Sequence, residues 1–232
     1  MTQDTLTRPE WLIDEPAEVY HAKRRDYLTS SSLKEFRRCP AHFHAMQNGL
    51  VEPYDSAAFQ MGTMVHAVVL EGESAINARY EFVENAPVNP KTGKPYGPTA
   101  AAYREWSSEH GKDIITAAQC RDLLAAANAV RGHAEAMKLI GGDGWGEGVA
   151  RADYEGLPSQ VRIDWLASMA GELVIVDLKT CADLDYFEQD AAKFGYIHQL
   201  AFYREVSALA GGLRHPCVIV AVEKTGRYRC GV

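Results

Sequence analysis

The chain has 232 residues, 47% of them apolar and 24% charged, enough for one well-packed domain of ordinary composition. It holds no apolar run of about 18 residues or more, and Met1 to Glu15 is polar and acidic, so neither a spanning helix nor a secretory leader is expected and a cytoplasmic location follows by default. The formal net charge of −7 excludes a globally basic surface of the kind that grips nucleic-acid phosphates, though a local basic channel can coexist with an acidic exterior.

Residues 1–28, with Pro9, Pro16 and the basic run Lys23-Arg24-Arg25, read as a flexible or loosely docked arm ahead of a single domain over 29–232. Thr29-Ser30-Ser31-Ser32 is a cluster of helix N-cap residues. Leu33, Phe36 and Phe43 follow at near-helical spacing, and Cys39-Pro40 interrupts them, which predicts a short helix, a proline break and a second helix to about Gln47. Ala57 to Gly72 predicts a helix carrying Phe59, Met61, Val65, Val68, Val69 and Leu70 on its apolar side, with His66 among them. Residues 85–99 are rich in Pro and Gly and predict a loop. Helical pattern resumes over 100–109 and over 117–140, the latter alanine-rich and ended by Gly141-Gly142-Asp143-Gly144. Three segments rich in Val, Ile, Trp and Tyr follow, 147–154, 157–167 and 173–179, punctuated by Gly156 and Gly171. They predict a three-stranded antiparallel meander. Helices over 185–193 and 196–210 and a strand over 217–222 complete an α/β (α+β-like) architecture, a central mixed sheet flanked by helices. Five scattered cysteines without a Cys-x-x-Cys pair predict free thiols rather than a zinc ribbon.

The chemistry concentrates in Val174-Ile175-Val176-Asp177-Leu178-Lys179-Thr180 and Val161-Arg162-Ile163-Asp164-Trp165-Leu166. Residues two apart in a strand share a face, so Asp177 and Lys179 point one way and Leu178 the other, with Asp164 across from them on the neighbouring strand. Two carboxylates, together with the Leu178 backbone carbonyl, suit a hard divalent cation such as Mg²⁺. Lys179 can offset phosphate charge, or help to deprotonate a water if its pKa is lowered. Asp-x-Lys by itself is equally an ordinary ion pair on a strand surface; the second acid inside an apolar run, where a charge needs a partner, moves the balance. A helix N-terminus with hydroxyls suits an anion, which makes Ser30, Ser31 and Arg37 or Arg38 candidates for a terminal phosphate, beside the plainer reading of a cap and a solvated basic face. Arg162, Thr180, Lys193 and Tyr196 are further candidate contacts to a DNA backbone.

These pieces resemble the PD-(D/E)xK nuclease superfamily, more closely its RecB-like branch and, within it, the RecE-type exonucleases of phages and prophages. The likeness runs from about Thr29 to Val222. It is carried, in order, by Ser31-x-Leu33-x-x-Phe36-x-x-Cys39-Pro40-x-x-Phe43, by Gly62-Thr63-Met64-Val65-His66 and the residues to Glu71, by Glu147, by Arg162-Ile163-Asp164, by Asp177-Leu178-Lys179-Thr180 and by Gln199-x-x-x-Tyr203. The resemblance implies a restriction-endonuclease-like core with Asp164, Asp177 and Lys179 catalytic and His66 as a metal ligand or the group that orients one. It implies that Glu147 completes the metal shell, and that Gln199 and Tyr203, one helical turn apart, contact the scissile strand or hold Lys179. Without the resemblance, His66 reads as a packed core histidine, Glu147 as a solvated strand-edge acid, and Gln199 with Tyr203 as a packing pair. The four cysteines that hold an iron–sulfur cluster in some RecB-like nucleases have no counterpart here, so no cluster is expected. Relatives commonly continue with another strand and a helix, whose hairpin Glu223 to Tyr228 would open.

The expected activity is Mg²⁺-dependent hydrolysis of DNA phosphodiesters, with Mn²⁺ as a substitute. The resemblance adds double-stranded DNA resected 5′ to 3′ in homologous recombination, a single-strand annealing recombinase as partner, and a homo-oligomeric ring. Two rivals share the same residues: a structure-specific or defence endonuclease, and a non-catalytic DNA-binding module.

Overall fold

The computed structural model describes residues 7–51 and 57–232, with the side chains at 57–59 outside that description; the expected apolar contact of Phe59 therefore lies outside the described residues. In chain order the helices are α1 (Ala17–Ala22), α2 (Ser30–Arg38), α3 (Pro40–Gln47), α4 (Ala57–Glu71), α5 (Ser74–Arg79), α6 (Ala101–His110), α7 (Ala117–Gly132), α8 (Ala134–Ile140), α9 (Phe187–Phe194) and α10 (Tyr196–Gly211). The strands are β1 (Tyr80–Phe82), β2 (Val88–Asn89), β3 (Lys94–Pro95), β4 (Asp113–Ile115), β5 (Gly144–Tyr154), β6 (Leu157–Met169), β7 (Glu172–Cys181), β8 (Cys217–Glu223) and β9 (Cys230–Gly231).

The expected mixed sheet is present, with five strands in the order β5-β6-β7-β8-β9. β5, β6 and β7 form the antiparallel meander. Both connections are two-residue turns, Glu155-Gly156 and Ala170-Gly171, with positive φ at each position (53° and 78°; 50° and 88°), the backbone that matches strand twist in a hairpin. β8 runs parallel to β7, so the chain must cross over, and it does so through α9 and α10. β9 pairs antiparallel with the end of β8, completing the hairpin foreseen after Glu223.

Each face of the sheet packs against its own helices. Val174, Val176, Leu178, Val220 and Val222 pack with Met61, Val65 and Val68 of α4 and Leu123, Ala127 and Val130 of α7. On the opposite face Ile175, Val161, Ile163 and Leu166 pack with Phe202, Tyr203 and Val206 of α10. Asp177 and Lys179 share the face of Ile175 and so look toward α10, while Leu178 is fully buried on the α4 side.

Local signals account for the helix boundaries. Thr29 and Ser32 form a reciprocal capping box at the start of α2, with backbone-to-hydroxyl bonds of 3.1 and 2.8 Å. Pro40 drives Cys39 into extended backbone (φ −160°, ψ 103°) and occupies the first turn of α3, where it needs no donor. The single helix expected over 117–140 is instead two. Gly132 weakens the run, His133 leaves the helix at φ −92°, ψ 113°, and its Nδ1 accepts the Ala136 N–H at 3.2 Å to cap α8. The parallel pair β1–β4 and the two-residue strands β2 and β3 within the expected loop carry no pattern long enough to announce them.

The segment read as an arm makes specific contacts. Ile13 exchanges backbone hydrogen bonds with Val149 at 2.8 and 2.9 Å, covering the outer edge of β5, and Leu28 bonds to Pro158 and Gln160 at 2.8 and 2.9 Å. Leu12 is 2% exposed and fills the space that a side chain at Gly148 would need. Arg151 on β5 forks onto Glu15 (2.5 and 3.1 Å), also bonds Gln160, and lies 5.1 Å from the centre of the Tyr27 ring. The Arg151 hydrogen bond, opposed by burial and helped by Lys23, depresses Glu15 to about 2. A carboxylate depressed in the folded state contributes stability above its unfolded pKa, and that contribution is lost as pH falls. Arg151→Ala is expected to lower the melting temperature at pH 7 by about 5 °C, what a loss of ~2 kcal/mol gives a domain of this size. The gap from the parent should narrow between pH 4.5 and about 2 in melts followed by circular dichroism. A gap that stays constant with pH contradicts the assignment.

Candidate active site

Alternation along β5 and β6 fails at one place. Val161 and Ile163 pack on the α10 side, but so does Leu166, while Trp165 and Ala167 pack on the α4 side. On β5, Trp145 packs on the α10 side together with Ala150, Ala152 and Tyr154, an odd step from it. Both strands therefore change phase, between Ile163 and Leu166 and between Trp145 and Ala150. Glu147 lies in the second interval with φ 56°, the left-handed region that a non-glycine residue enters only at a cost. Gly146 pairs with Trp165 and Gly148 with Ile163, so Glu147 and Asp164 fall opposite each other within the distortion.

The β6–β7 ladder stops at the same level, its last pair being Trp165 with Val176. Beyond it the Asp164 carboxylate takes the place of a strand, its Oδ2 accepting the Leu178 N–H at 2.9 Å. In extended backbone the N–H and C=O of one residue point to the same side, so the Leu178 carbonyl faces this gap too. α4 closes the gap from the other layer. A Cβ on Gly62 would meet Thr180 Oγ1 at 3.3 Å, and this close approach brings His66, one turn later, to Asp164, with Nδ1 to Oδ2 at 3.5 Å. Ligand atoms of His66, Glu147 and Asp164 all lie within 4.8 Å of one another.

Asp177 sits beside this trio without being part of it, 1% exposed and held from two sides. Gln199 Nε2 on α10 donates to Oδ1 at 3.0 Å, and Lys179 Nζ lies 2.5 Å from Oδ2. Oδ2 is thus buried against the Lys179 ammonium. Burial pushes Asp177 above the ordinary carboxylate range despite Lys179, and the Asp164 charge adds to it. Burial also opposes the charge on Lys179, but Asp177 and Asp164 outweigh it and hold the ammonium above its usual pKa. Burial raises Glu147 as well, opposed by Arg162 and reinforced by Asp164. Glu147, Asp164 and Asp177 thus crowd more negative charge together than Lys179 and Arg162 offset. Two carboxylates and an imidazole in reach of one point, with a third carboxylate beside them, are the donor set of a divalent-cation site, and the residues fit such an ion.

The other expected residues separate into three positions. Arg162 is committed to Glu147, Nε to Oε2 at 2.8 Å, and positions that acid rather than facing solvent. Thr180 points into the α4 contact at Gly62, away from the Lys179 face. Tyr196 lies under Lys179, 5.2 Å from Nζ to ring centre. Tyr203 is buried beside Ser30, its hydroxyl raised well above the usual tyrosine pKa by burial, so it packs behind the site. Ser30, Ser31 and Arg37 of α2 line a groove of about 300 Å³ between α2 and α10, with Gln199 on the α10 wall. Arg38 is exposed outside that lining and Lys193 is exposed over the Phe194 ring at 5.2 Å. Sequence reasoning did not single out Lys34, Phe194 and His198, which also line the groove. It also missed Tyr20 of α1, half-buried and close enough to Arg162 for the guanidinium to bear on its hydroxyl. An exposed Phe-Gly step between two helices is the one signal that pointed to the first group.

Comparison with known proteins bears on the fold that carries these residues. The family model DUF3799, a PDDEXK-like domain of unknown function, matches residues 29–229. The chain belongs to this family. The DUF3799 fold is shared with a solved structure from Eubacterium rectale described as a "Putative exonuclease", at a TM-score of 0.61 and 16% identity over 94% of this chain and 77% of that one. No curated protein matches the sequence. All of these residues, Glu147 and Asp164 on β5 and β6, Asp177 on β7, His66 on α4 and Gln199 on α10, lie within the matched range 29–229.

The cost of the Glu147 backbone can be isolated. Glu147→Gly and Glu147→Ala both delete the carboxylate, but only glycine relieves the positive φ. The glycine variant is expected to be more stable than the alanine variant by about 1 kcal/mol in urea unfolding. Equal stabilities would mean that Glu147 is unstrained.

Proposed function

We propose that this protein is a divalent-metal-dependent DNA nuclease, and more narrowly an exonuclease that resects linear duplex. The observation that carries the proposal is the meeting of His66, Glu147 and Asp164 within 4.8 Å, beside the buried Asp177–Lys179 pair. His66, Glu147 and Asp164, with Asp177 and the Leu178 carbonyl, are the residues that would hold the ion. Carboxylate and carbonyl oxygens favour Mg²⁺, and the imidazole makes Mn²⁺ an effective substitute. A bound divalent cation supplies Lewis-acid polarisation of a phosphoryl oxygen and lowers the pKa of water.

The chain's own groups do the positioning. Gln199 pins one oxygen of Asp177 and leaves the other turned toward Lys179. Lys179, kept protonated by its two carboxylate neighbours and backed by the Tyr196 ring, presents a fixed positive charge to a phosphate entering the site. Arg162 offsets part of the Glu147 charge and fixes its direction. Hydrolysis then adds a water oxygen to phosphorus and releases the 3′-oxygen.

The finer reading follows the RecE-type resemblance: double-stranded DNA, 5′-to-3′ resection, a cytoplasmic role in phage or prophage homologous recombination, an annealing recombinase as partner and a homo-oligomeric ring. The description of the E. rectale structure supports the exonuclease part of it. A ring would also gather the basic groups of a chain of net charge −7 onto one inner wall.

Linear duplex labelled separately at each 5′ and 3′ end is expected to release nucleotides with Mg²⁺ and none with chelator, while covalently closed circles stay intact. Asp164→Asn and Lys179→Ala should each lower the rate by about 10²-fold or more with an unchanged circular-dichroism spectrum. Cleavage of the closed circle would favour an endonuclease. Full activity in Asp164→Asn would remove the proposed site.

A further inference from the structure

The groove between α2 and α10 is not accounted for by hydrolysis. It joins the candidate active site through Gln199, which lines it and also bonds Asp177. Phe194 lines the groove, and Tyr196 and Phe187 adjoin that ring from outside the lining. Phe194, 41% exposed, lies with its ring centre 5.9 Å from that of Tyr196 at an interplanar angle of 32°, and Phe187 lies 6.1 Å from Tyr196 on a 30° tilt. The rings therefore form a row that runs from Lys179, over Tyr196, outward to an exposed face at Phe194. The α2 wall is basic: Lys34 reaches across to the Phe194 carbonyl at 3.3 Å, and Arg37 follows it on α2. Glu205 also lines the groove, but Arg214 forks onto it at 2.8 to 3.1 Å, so its charge is already met. At about 300 Å³ the groove is at the small end of ligand sites and too narrow for a duplex.

We propose that this groove receives an unpaired DNA strand, with one base stacked on Phe194 and the adjoining phosphates held by Lys34 and Arg37, so that the substrate reaching Asp177 and Lys179 is a single-stranded or frayed end. Stacking faces beside a narrow basic track are what single strands require, since every base offers a π-face whatever its sequence. A duplex hides those faces. The proposal rests on the nuclease reading for the identity of the ligand, and it adds strand state to it. It also reconciles an acidic chain with a polyanionic substrate, because the needed positive charge is local.

The test is binding, measured on the full chain in chelator so that cleavage plays no part. A labelled 12-nucleotide single strand is titrated by fluorescence anisotropy against the blunt duplex of the same sequence. A second strand carries terminal 2-aminopurine, whose fluorescence drops on stacking. The parent should bind the single strand more tightly than the duplex and quench the 2-aminopurine. Phe194→Ala should weaken single-strand binding by ~5- to 20-fold and abolish the quench, with duplex binding unchanged. Phe194→Trp should restore both. Arg37→Ala should lower the slope of log affinity against log salt by about 0.7. Unchanged single-strand affinity and quench in Phe194→Ala, or an equal loss for duplex, overturns the proposal. Absence of cleavage with this binding pattern intact would count against the nuclease reading and leave the groove standing.

Discussion

Everything at the candidate site depends on one substitution in a hydrogen-bond ladder. β6 leaves β7 at Asp164, and the donor that the missing strand would have satisfied, the Leu178 N–H, is taken by the Asp164 carboxylate. This single bond does three things. It pays the backbone's debt where the sheet opens, fixes a carboxylate at the opening, and ties that carboxylate to the residue next to Asp177. A side chain used in this way is drawn largely out of bulk water, 15% exposed, and its remaining oxygen needs a polar partner there. The paired distortion at Glu147 turns a second acid into the same gap. The result is a locally over-charged pocket inside an otherwise conventional sheet, the arrangement expected where stability is exchanged for function.

Most of the scaffold could be read in the sequence because its signals are local. The Thr29 cap, the Pro40 break and the glycines that follow Glu155 and Ala170 each dictate backbone geometry within a few residues. The shared face of Asp177 and Lys179 was legible for the same kind of reason, since residues two apart in a strand point the same way. What could not be read is what breaks the period. Glu147 takes a left-handed backbone that its residue type does not announce, and the phase change in β6 has no sequence mark beyond an acid in an apolar run. Hence the separation of Asp177 from the trio of His66, Glu147 and Asp164, and the commitment of Arg162 to Glu147, emerge only in three dimensions.

The segment before Thr29 gives the complementary lesson. It looks like an arm because prolines and charges outnumber apolar residues, yet Leu12 and the Arg151–Glu15 pair hold it along the β5 edge and carry Tyr20 toward Arg162. The anchor on the arm is one leucine and one acid, too few for any periodicity. The split of the alanine-rich helix at His133 is similar, since a side chain that caps its own successor helix is chosen only once α8 packs on the sheet. The groove residues Lys34, Phe194 and His198 belong to α2, α9 and α10, the first far from the others in sequence, and only the seating of α2 on α10 makes them neighbours.

The most direct test of the account is location of a cation. Crystals soaked in Mn²⁺ and measured at its absorption edge should show an anomalous peak shared by His66, Glu147 and Asp164, adjoining Asp177 Oδ2, and the peak should vanish in Asp164→Asn crystals. A peak elsewhere, or no peak while those side chains keep their places, would contradict it.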